Sequence, residues 1–391
     1  MDLEARRIEA YFSQINTFLG SNQEVEIIAV AHLVSNSEHF LPALNSLGRV
    51  ALLLPKPSSE NSESARVIRS YEYNEGKLSR DWLENPKSGV QLIKDSVTPG
   101  SSFIVVDIGG YFCPLLSDLK EEFGNLFLGV MEGTENGVQK YEELEELPVP
   151  VVTVARSPLK LPEDYLVGAS IVYSVEAILR DQSQILQTRK ACLIGYGRVG
   201  SGVAEVLRGR GVSTVVHDTS PIAMAEAAAR GFQVFRRLDE ALRRSDLVIS
   251  ATGCHALDAH ALYSLRNGSL VALVTSGDDE FGRDNPLEKY EPVYGFPQEG
   301  DDSERVEEHK LVVRYEGDNG KHFLLANDGR AANFAHGAVI GPAIQLIEGE
   351  KLIAVKRISE NSFPCSELVQ EVCKADRLSI ANIWNEHFLD D

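Results

Sequence analysis

The sequence predicts an α/β protein of two doubly wound domains, the second inserted into the chain of the first across a two-stranded hinge. Three observations predict it. Short apolar runs alternate with helical stretches from about residue 25 to residue 275, the pattern of parallel strands joined by crossover helices. Within this alternation the apolar run 191–194 breaks into Gly195, Gly197 and Gly200 and a helix then opens near Val203. That order of strand, GxGxxG and helix marks a Rossmann-like dinucleotide domain. A further helical stretch after residue 337 crosses back to the first domain. The resulting boundaries are 1–187, completed by 334–391, for a substrate-binding domain and 188–333 for the nucleotide domain. Two crossings suit closure over a ligand.

The elements follow in order. Residues 1–19 carry Leu3, Ile8, Tyr11, Phe12, Ile15, Phe18 and Leu19 at helical spacing and stop at Gly20, predicting an amphipathic lead helix. Strands are predicted at 26–31, 49–54, 102–107, 125–130 and 149–154, with a helix ending near Leu47 and a Pro/Ser-rich loop over 55–64. One long helix is read over 163–187. In the nucleotide domain, strands at 191–194, 213–217, 233–235, 246–250 and 269–275 alternate with helices at 223–229 and 238–244. Hairpin-like pieces follow at 311–314 and 322–326, then a helix over 338–346. The tail 361–391 is amphipathic and mixed, and the acidic cluster 299–308 reads as a surface loop.

Composition narrows the function classes. With 391 residues the chain is long enough for two proper cores. A formal charge of −20 argues against nucleic-acid and membrane-surface roles, since phosphates call for a basic face. No apolar run has the length of a membrane span, and the first residues do not read as a signal peptide. Five scattered cysteines without a C-x-x-C pair fit reduced thiols in a cytoplasmic protein rather than disulfides or zinc ligands. No metal site is expected.

The glycine motif carries specific chemistry. Gly195 permits the tight turn, Gly197 lets the backbone approach a pyrophosphate, and Gly200 lets the helix lie close to the strand. Arg198 and Val199 complete the loop, and the helix N-terminus offers free N–H groups to the phosphates. Asp218 closes the next strand, 18 residues beyond Gly200. A carboxylate there binds an adenosine ribose and repels a 2′-phosphate, so the expected cofactor is NAD rather than NADP. Thr252 and Gly253 end a further strand, where open α/β sheets bind ligands. Asp278 and Asp279 follow another strand and face either the cleft or solvent.

These residues resemble the S-adenosylhomocysteine hydrolase family. The run from Gly195 to Gly202 is similar to that family's GYGDVGKG, and the likeness continues through Ser220, Pro221 and Ile222, through Ala251, Thr252 and Gly253, and through Asp328, Gly329, Arg330 and Asn333. In the first domain, 31–36 looks like the family's LHMT, Asp107 to Gly110 like its DDGG, and Glu132 to Gly137 like its EETTTG. Coverage is most of 25–345. The family's chemistry, as the resemblance implies, lets bound NAD oxidise a ribose 3′-hydroxyl to a ketone. Homocysteine then leaves, water adds, and the ketone is reduced again. Position by position, His32 falls on the histidine near the leaving group and Lys160 on the lysine that works on the hydroxyl. Asp164 falls on the aspartate four residues later, on the same helix face, and Asn333 on a residue near the nicotinamide. Asp107, Glu132, Glu135 and His336 are candidates for substrate contacts. A plain alternative for Asp164 is the N-cap of the long helix.

Several family groups are replaced. The second aspartate of DDGG is Ile108, the second glutamate of EETTTG is Gly133, and the family's C-terminal Lys/Tyr tail has no counterpart. An isoleucine moves no protons, and loss of one member of a catalytic set costs orders of magnitude. The reading is therefore an NAD-dependent adenosylhomocysteinase-like hydrolase or oxidoreductase with altered chemistry. It oxidises a nucleoside or sugar hydroxyl and ends in dehydrogenation, epimerisation or elimination. The alternatives are a divergent true hydrolase and a catalytically silent NAD-binding regulator. The partners expected are a small nucleoside- or sugar-containing substrate and copies of the same chain, as a homodimer or tetramer.

Overall fold

The computed structural model describes residues 3–20, 24–60, 62–79, 82, 85–275, 280–282, 285–293, 311–317 and 320–389. Asp278, Asp279 and the acidic cluster 299–308 lie outside them. The chain forms two compact units, Met1–Glu163 with Gly341–Asp391, and Asp164–Ile340. The divisions fall at 163/164 and 340/341, where the sequence reading places them at 187/188 and 333/334. The reason lies in the long helix. Its Ile171, Val172, Val175, Ile178 and Leu179 are buried in one apolar core with Leu193, Val203 and Leu207 of the nucleotide-binding unit.

The first unit opens with α1 (Leu3–Leu19), β1 (Val25–Leu33), α2 (Ser37–Leu47), β2 (Arg49–Glu60) and α3 (Ser62–Arg69). It continues with α4 (Pro86–Ser96), β3 (Ser102–Asp107), α5 (Leu116–Phe123), β4 (Phe127–Glu132), α6 (Glu135–Glu142) and β5 (Val151–Thr153). Next comes α7 (Leu161–Asp181), which stops short of the expected 187 because Ser183 turns left-handed at φ 56°. The second unit holds β6 (Lys190–Ile194), α8 (Arg198–Gly209), β7 (Ser213–His217), α9 (Pro221–Ala229), β8 (Gln233–Val234) and α10 (Leu238–Leu242). It ends with β9 (Leu247–Ser250), α11 (Ala259–Ser264), β10 (Leu270–Leu273), β11 (Glu291–Val293), β12 (Val312–Glu316) and β13 (His322–Ala326). The tail returns to the first unit as α12 (Ala343–Ser359), β14 (Gln370–Glu371) and α13 (Lys374–Phe388). The helix expected over 338–346 starts later and runs longer. Ala338 and Gly341 take positive φ, and Pro342 then stands just before the first turn.

In the first unit the strand order is β14-β5-β4-β3-β1-β2, with every pairing parallel. The order reverses between β1 and β3, so the ends of those strands flank a topological switch point, where such sheets bind ligands. β1 is an almost unbroken buried run because a parallel sheet is covered on both faces. Its one incompletely buried residue is His32. Ile27 and Ile28 are fully buried, and each such side chain stabilises the sheet by about 1.5–3 kcal/mol. On one face α12 packs against α13 and α1. Tyr11 donates from its hydroxyl to the Gln345 carbonyl at 2.7 Å, and the Trp384 indole N–H to the Pro342 carbonyl at 2.8 Å.

The second unit orders its strands β11-β12-β13-β10-β9-β6-β7-β8. Strands β8, β7, β6, β9, β10 and β13 run parallel, in the dinucleotide-binding order with its switch between β6 and β9. β12 and β11 add an antiparallel edge, so the hairpin expected from 311–326 is the β12–β13 ladder.

Candidate functional site

The nucleotide cradle lies at the switch between β6 and β9. Gly195 leaves β6 at φ 89° and donates its N–H to the His217 carbonyl at 2.8 Å. A Cβ on it would stand 2.8 Å from the Ala251 carbonyl oxygen, and one on Gly200 only 2.1 Å from the Gly195 carbonyl oxygen. A Cβ on Gly197 would meet nothing within 4 Å. Gly195 and Gly200 are thus demanded by the fold. Gly197 is exposed, and its lack of a side chain matters only to something lying on the loop. Gly197 immediately precedes α8, whose first residues are Arg198 and Val199, so the first free N–H groups of the helix point out of the same loop. These features fit a dinucleotide pyrophosphate.

Asp218 stands at the C-terminal end of β7. One of its oxygens accepts the Tyr196 N–H at 2.6 Å and the other the Ser220 N–H at 2.7 Å. It thereby ties the glycine loop to the start of α9, which Ser220 caps. A carboxylate has about four acceptor positions, so two remain for ribose hydroxyls. α7 crosses the start of α8 at small residues: a Cβ on Gly168 would be 2.6 Å from the Val203 nitrogen. One turn earlier on α7, Asp164 is buried, with the Arg198 guanidinium 3.9 Å from its carboxylate. Asp164 is inside the first turn. The capping role falls to Ser157, which accepts the Leu159 N–H at 3.1 Å in the 3-10 turn ahead of α7.

Thr252 and Gly253 end β9, and a residue missed in the sequence organises them. The fully buried carboxylate of Glu280 accepts from the Ser250 hydroxyl (2.5 Å), the Thr252 hydroxyl and N–H (2.8 and 3.2 Å), the Gly253 N–H (3.0 Å) and the Thr275 hydroxyl (2.9 Å). Its sequence signal is the acidic run 278–280, of which the sequence reading names only Asp278 and Asp279 as candidates. Asn333 sits in the 3-10 turn Ala332–His336, and its side-chain oxygen is buried with no hydrogen-bond donor among the described residues. Such an orphan acceptor fits a carboxamide N–H from the nicotinamide end of NAD. The His336 ring packs edge-on to Tyr173, with centroids 5.6 Å apart.

In the first unit the candidates gather at the C-terminal strand ends but do different things. Asp107, fully buried, accepts the N–H groups of Ile108, Tyr111 and Phe112 and the Tyr141 hydroxyl at 2.7–3.2 Å. Glu132, also fully buried, accepts from the N–H groups of Gly109, Gly110 and Thr134 and from the Thr134 hydroxyl at 2.7–3.1 Å. Both carboxylates therefore fold the loop after β3. Burial and the neighbouring Asp107 charge push the Glu132 carboxyl up to about 7. Ile108 belongs to the apolar core of this unit. Glu135 forms a half-exposed ion pair with Arg156 at 2.7 Å, a cation shared with Glu142.

His32 is held neutral at physiological pH: desolvation, then the charges of Lys56 and Lys351, press its imidazole well below the usual range. The Lys160 ammonium lies 3.1 Å from Glu163, both largely buried. The sequence reading gave Lys160 to Asp164 and overlooked Glu163. It also gave no role to Glu348 and Lys351, which α12 carries. The Glu348 carboxyl is buried with one oxygen lacking a partner among the described residues. Burial, reinforced by Glu163 and opposed by Lys351, raises it to about 8.

Comparison with known proteins bears on the family of the chain. Residues 165–339 match the family described as S-adenosyl-L-homocysteine hydrolase, NAD binding domain. Adenosylhomocysteinase of Thermotoga maritima is 30% identical over 78% of this chain and 72% of its own length. That of Thermoplasma volcanium is 29% identical over 67% of this chain and 60% of its own. Among solved structures, apo D-lactate dehydrogenase from Escherichia coli is similar at a TM-score of 0.45 and 14% identity, covering 88% of this chain and 99% of that one. With residues 165–339 matching that family's NAD-binding domain, and the likeness to the Thermotoga enzyme running across both units, the chain belongs to the adenosylhomocysteinase family as a divergent member with NAD as its cofactor.

Proposed function

We propose that this protein uses NAD to oxidise a ribose-type hydroxyl of a nucleoside or related sugar compound, and that the reaction then departs from ordinary adenosylhomocysteine hydrolysis. One observation carries the reading. The NAD cradle has every part in order, whereas the position of the family's acid/base aspartate is Ile108, part of an apolar core. Bound NAD supplies the hydride acceptor. Lys160 in its neutral amine form takes the hydroxyl proton, with Asp164 assisting, and Glu163 at 3.1 Å holds the ammonium that this restores. His32, kept neutral, serves as a proton acceptor at physiological pH. Dehydrogenation, epimerisation and elimination all begin with this oxidation.

A second reading, hydrolysis of S-adenosylhomocysteine by a substitute acid, is favoured by Glu348. A carboxyl raised to about 8 carries a proton at neutral pH and can donate it. The test is the absorbance of reduced nicotinamide in NAD-loaded protein given adenosine, S-adenosylhomocysteine and related nucleosides in turn, wild type beside K160A. A substrate-dependent signal that K160A lowers by about 100-fold or more is expected, in line with the loss of a positioned base. Mass spectrometry of the product separates the two readings. No signal from any nucleoside would overturn both.

A further inference from the structure

We propose that His336 joins Asn333 in a two-point clamp on the carboxamide of NAD, and that His336 thereby acts as a positioning residue for the nicotinamide ring. The clamp deepens the proposed function and rests on its assignment of NAD to the glycine cradle. The identity of the oxidised hydroxyl does not enter it.

In the second sheet β7 and β9 lie on opposite sides of β6. With the pyrophosphate on the loop after β6 and the adenosine ribose at Asp218 after β7, the other half of the dinucleotide extends over the C-terminal ends of β9 and β10. The chain returns to that edge after β13. Ala331 forms an isolated parallel bridge to Leu273, the last residue of β10. The 3-10 turn Ala332–His336 follows at once and so stands beyond the end of β10.

Residues three apart in a 3-10 turn eclipse one another, so the side chains of Asn333 and His336 leave the turn on the same side. The Asn333 side-chain oxygen and the His336 Nδ1 are both buried, and neither has a hydrogen-bond partner among the described residues. Asn333 as a whole is only 6% exposed. Unmet polar atoms in such places are costly, yet the turn holds them there. The Asn333 carbonyl accepts the Ala338 N–H at 2.9 Å, and Gly337 closes the turn at φ 77°. Tyr173 of α7 meets the imidazole edge-on, with centroids 5.6 Å apart. A primary carboxamide carries one carbonyl acceptor and an NH2 donor. The Asn333 oxygen accepts from that NH2, and the His336 Nδ1–H donates to that carbonyl. Gripping both ends of the group fixes which face of the ring is turned toward the substrate, a condition for hydride transfer.

Isothermal titration of the full chain tests this with NAD, its 3-acetylpyridine analogue and ADP-ribose, on wild type, N333A and H336F. The analogue keeps a carbonyl but has a methyl in place of the NH2, and ADP-ribose has no nicotinamide. H336F keeps a ring beside Tyr173 and loses the donor. N333A is expected to weaken NAD about tenfold and leave the analogue unchanged. H336F is expected to weaken NAD and the analogue alike, about tenfold. ADP-ribose should bind all three proteins equally. H336F binding NAD like wild type overturns the clamp, and so does a loss shared equally by ADP-ribose, which marks a merely structural role. Wild type alone supplies a check that needs no variant: it should prefer NAD to the analogue about tenfold, and equal affinities overturn the clamp. Reduced nicotinamide formed with a nucleoside after such a result leaves the oxidation standing by itself. A clamp that passes these tests in a protein that no nucleoside reduces survives without the oxidation.

Discussion

Alanine at Gly197 and at Gly200 separates what the cofactor requires from what the fold requires. At Gly200 the new methyl would lie 2.1 Å from the Gly195 carbonyl oxygen, well inside the roughly 3.5 Å at which atoms attract. Backbone is not a flexible neighbour, so α8 has to move away from β6. Overpacking of this kind costs about 1–3 kcal/mol. For a unit of this size that lowers the melting midpoint by about 3–10 °C. At Gly197 the methyl meets nothing within 4 Å, and the residue has φ −78° and ψ −161°, which alanine adopts freely. Reduced chain entropy stabilises G197A by about 0.4–1 kcal/mol, and a poorer cap offsets this by a similar amount. Apo G197A should therefore melt close to wild type. Its methyl, however, occupies the surface on which we propose that the pyrophosphate lies. Losing one charge-assisted hydrogen bond of about 1.5–3 kcal/mol weakens NAD about 10–100-fold. The assay is a melting curve for each protein with and without NAD. NAD at a hundred times its Kd stabilises wild type by about 2.7 kcal/mol, and G197A at the same concentration should lose about half of that shift or more. A G197A protein that takes up NAD like wild type would refute the assignment of the pyrophosphate to this loop.

Three further outcomes are expected. D218N removes the negative charge that holds the glycine loop and that we assign to the ribose, so fluorescence titration should show NAD binding weakened about 10-fold or more and discrimination against NADP narrowed; unchanged discrimination would remove Asp218 from the ribose site. E280A leaves the buried Ser250 hydroxyl and the part-buried donors of Thr252, Gly253 and Thr275 without their acceptor, which costs about 3 kcal/mol or more; a urea midpoint within about 0.5 kcal/mol of wild type would contradict the role drawn for it. Glu348 is raised from 4.5 to about 8 in the folded protein, so the native state holds a proton that the unfolded chain releases. Its contribution to stability is therefore fully present below about pH 4.5 and is lost as pH rises toward 8. E348Q should match wild type near pH 4.5, exceed it above pH 8, and show a flatter dependence of the urea midpoint between them; parallel curves would refute the shift.

The doubly wound class, the NAD cradle and most strands were legible because each is written in neighbouring residues. The strand 102–107 and the strand 213–217 fall where β3 and β7 lie. Boundaries set by packing were not legible. α7 reads as a continuation of the first domain, yet its apolar face completes the core of the second unit. α12 was half missed because its start depends on the backbone of Ala338, Gly341 and Pro342 rather than on its own periodicity.

By itself the sequence determined the fold class, the dinucleotide fingerprint and the preference implied by Asp218, since these rest on local spacing and on the chemistry of single residues. Tertiary structure alone decided how the charged groups are used. It turned Asp107 and Glu132 inward to hold a loop, set Lys160 against Glu163, made Glu280 the organiser of the β9 turn, and brought Lys351 from the far end of the chain onto Gly133. A carboxylate or an ammonium takes its role from the partners and the dielectric around it, and those are supplied by strands and helices distant in sequence.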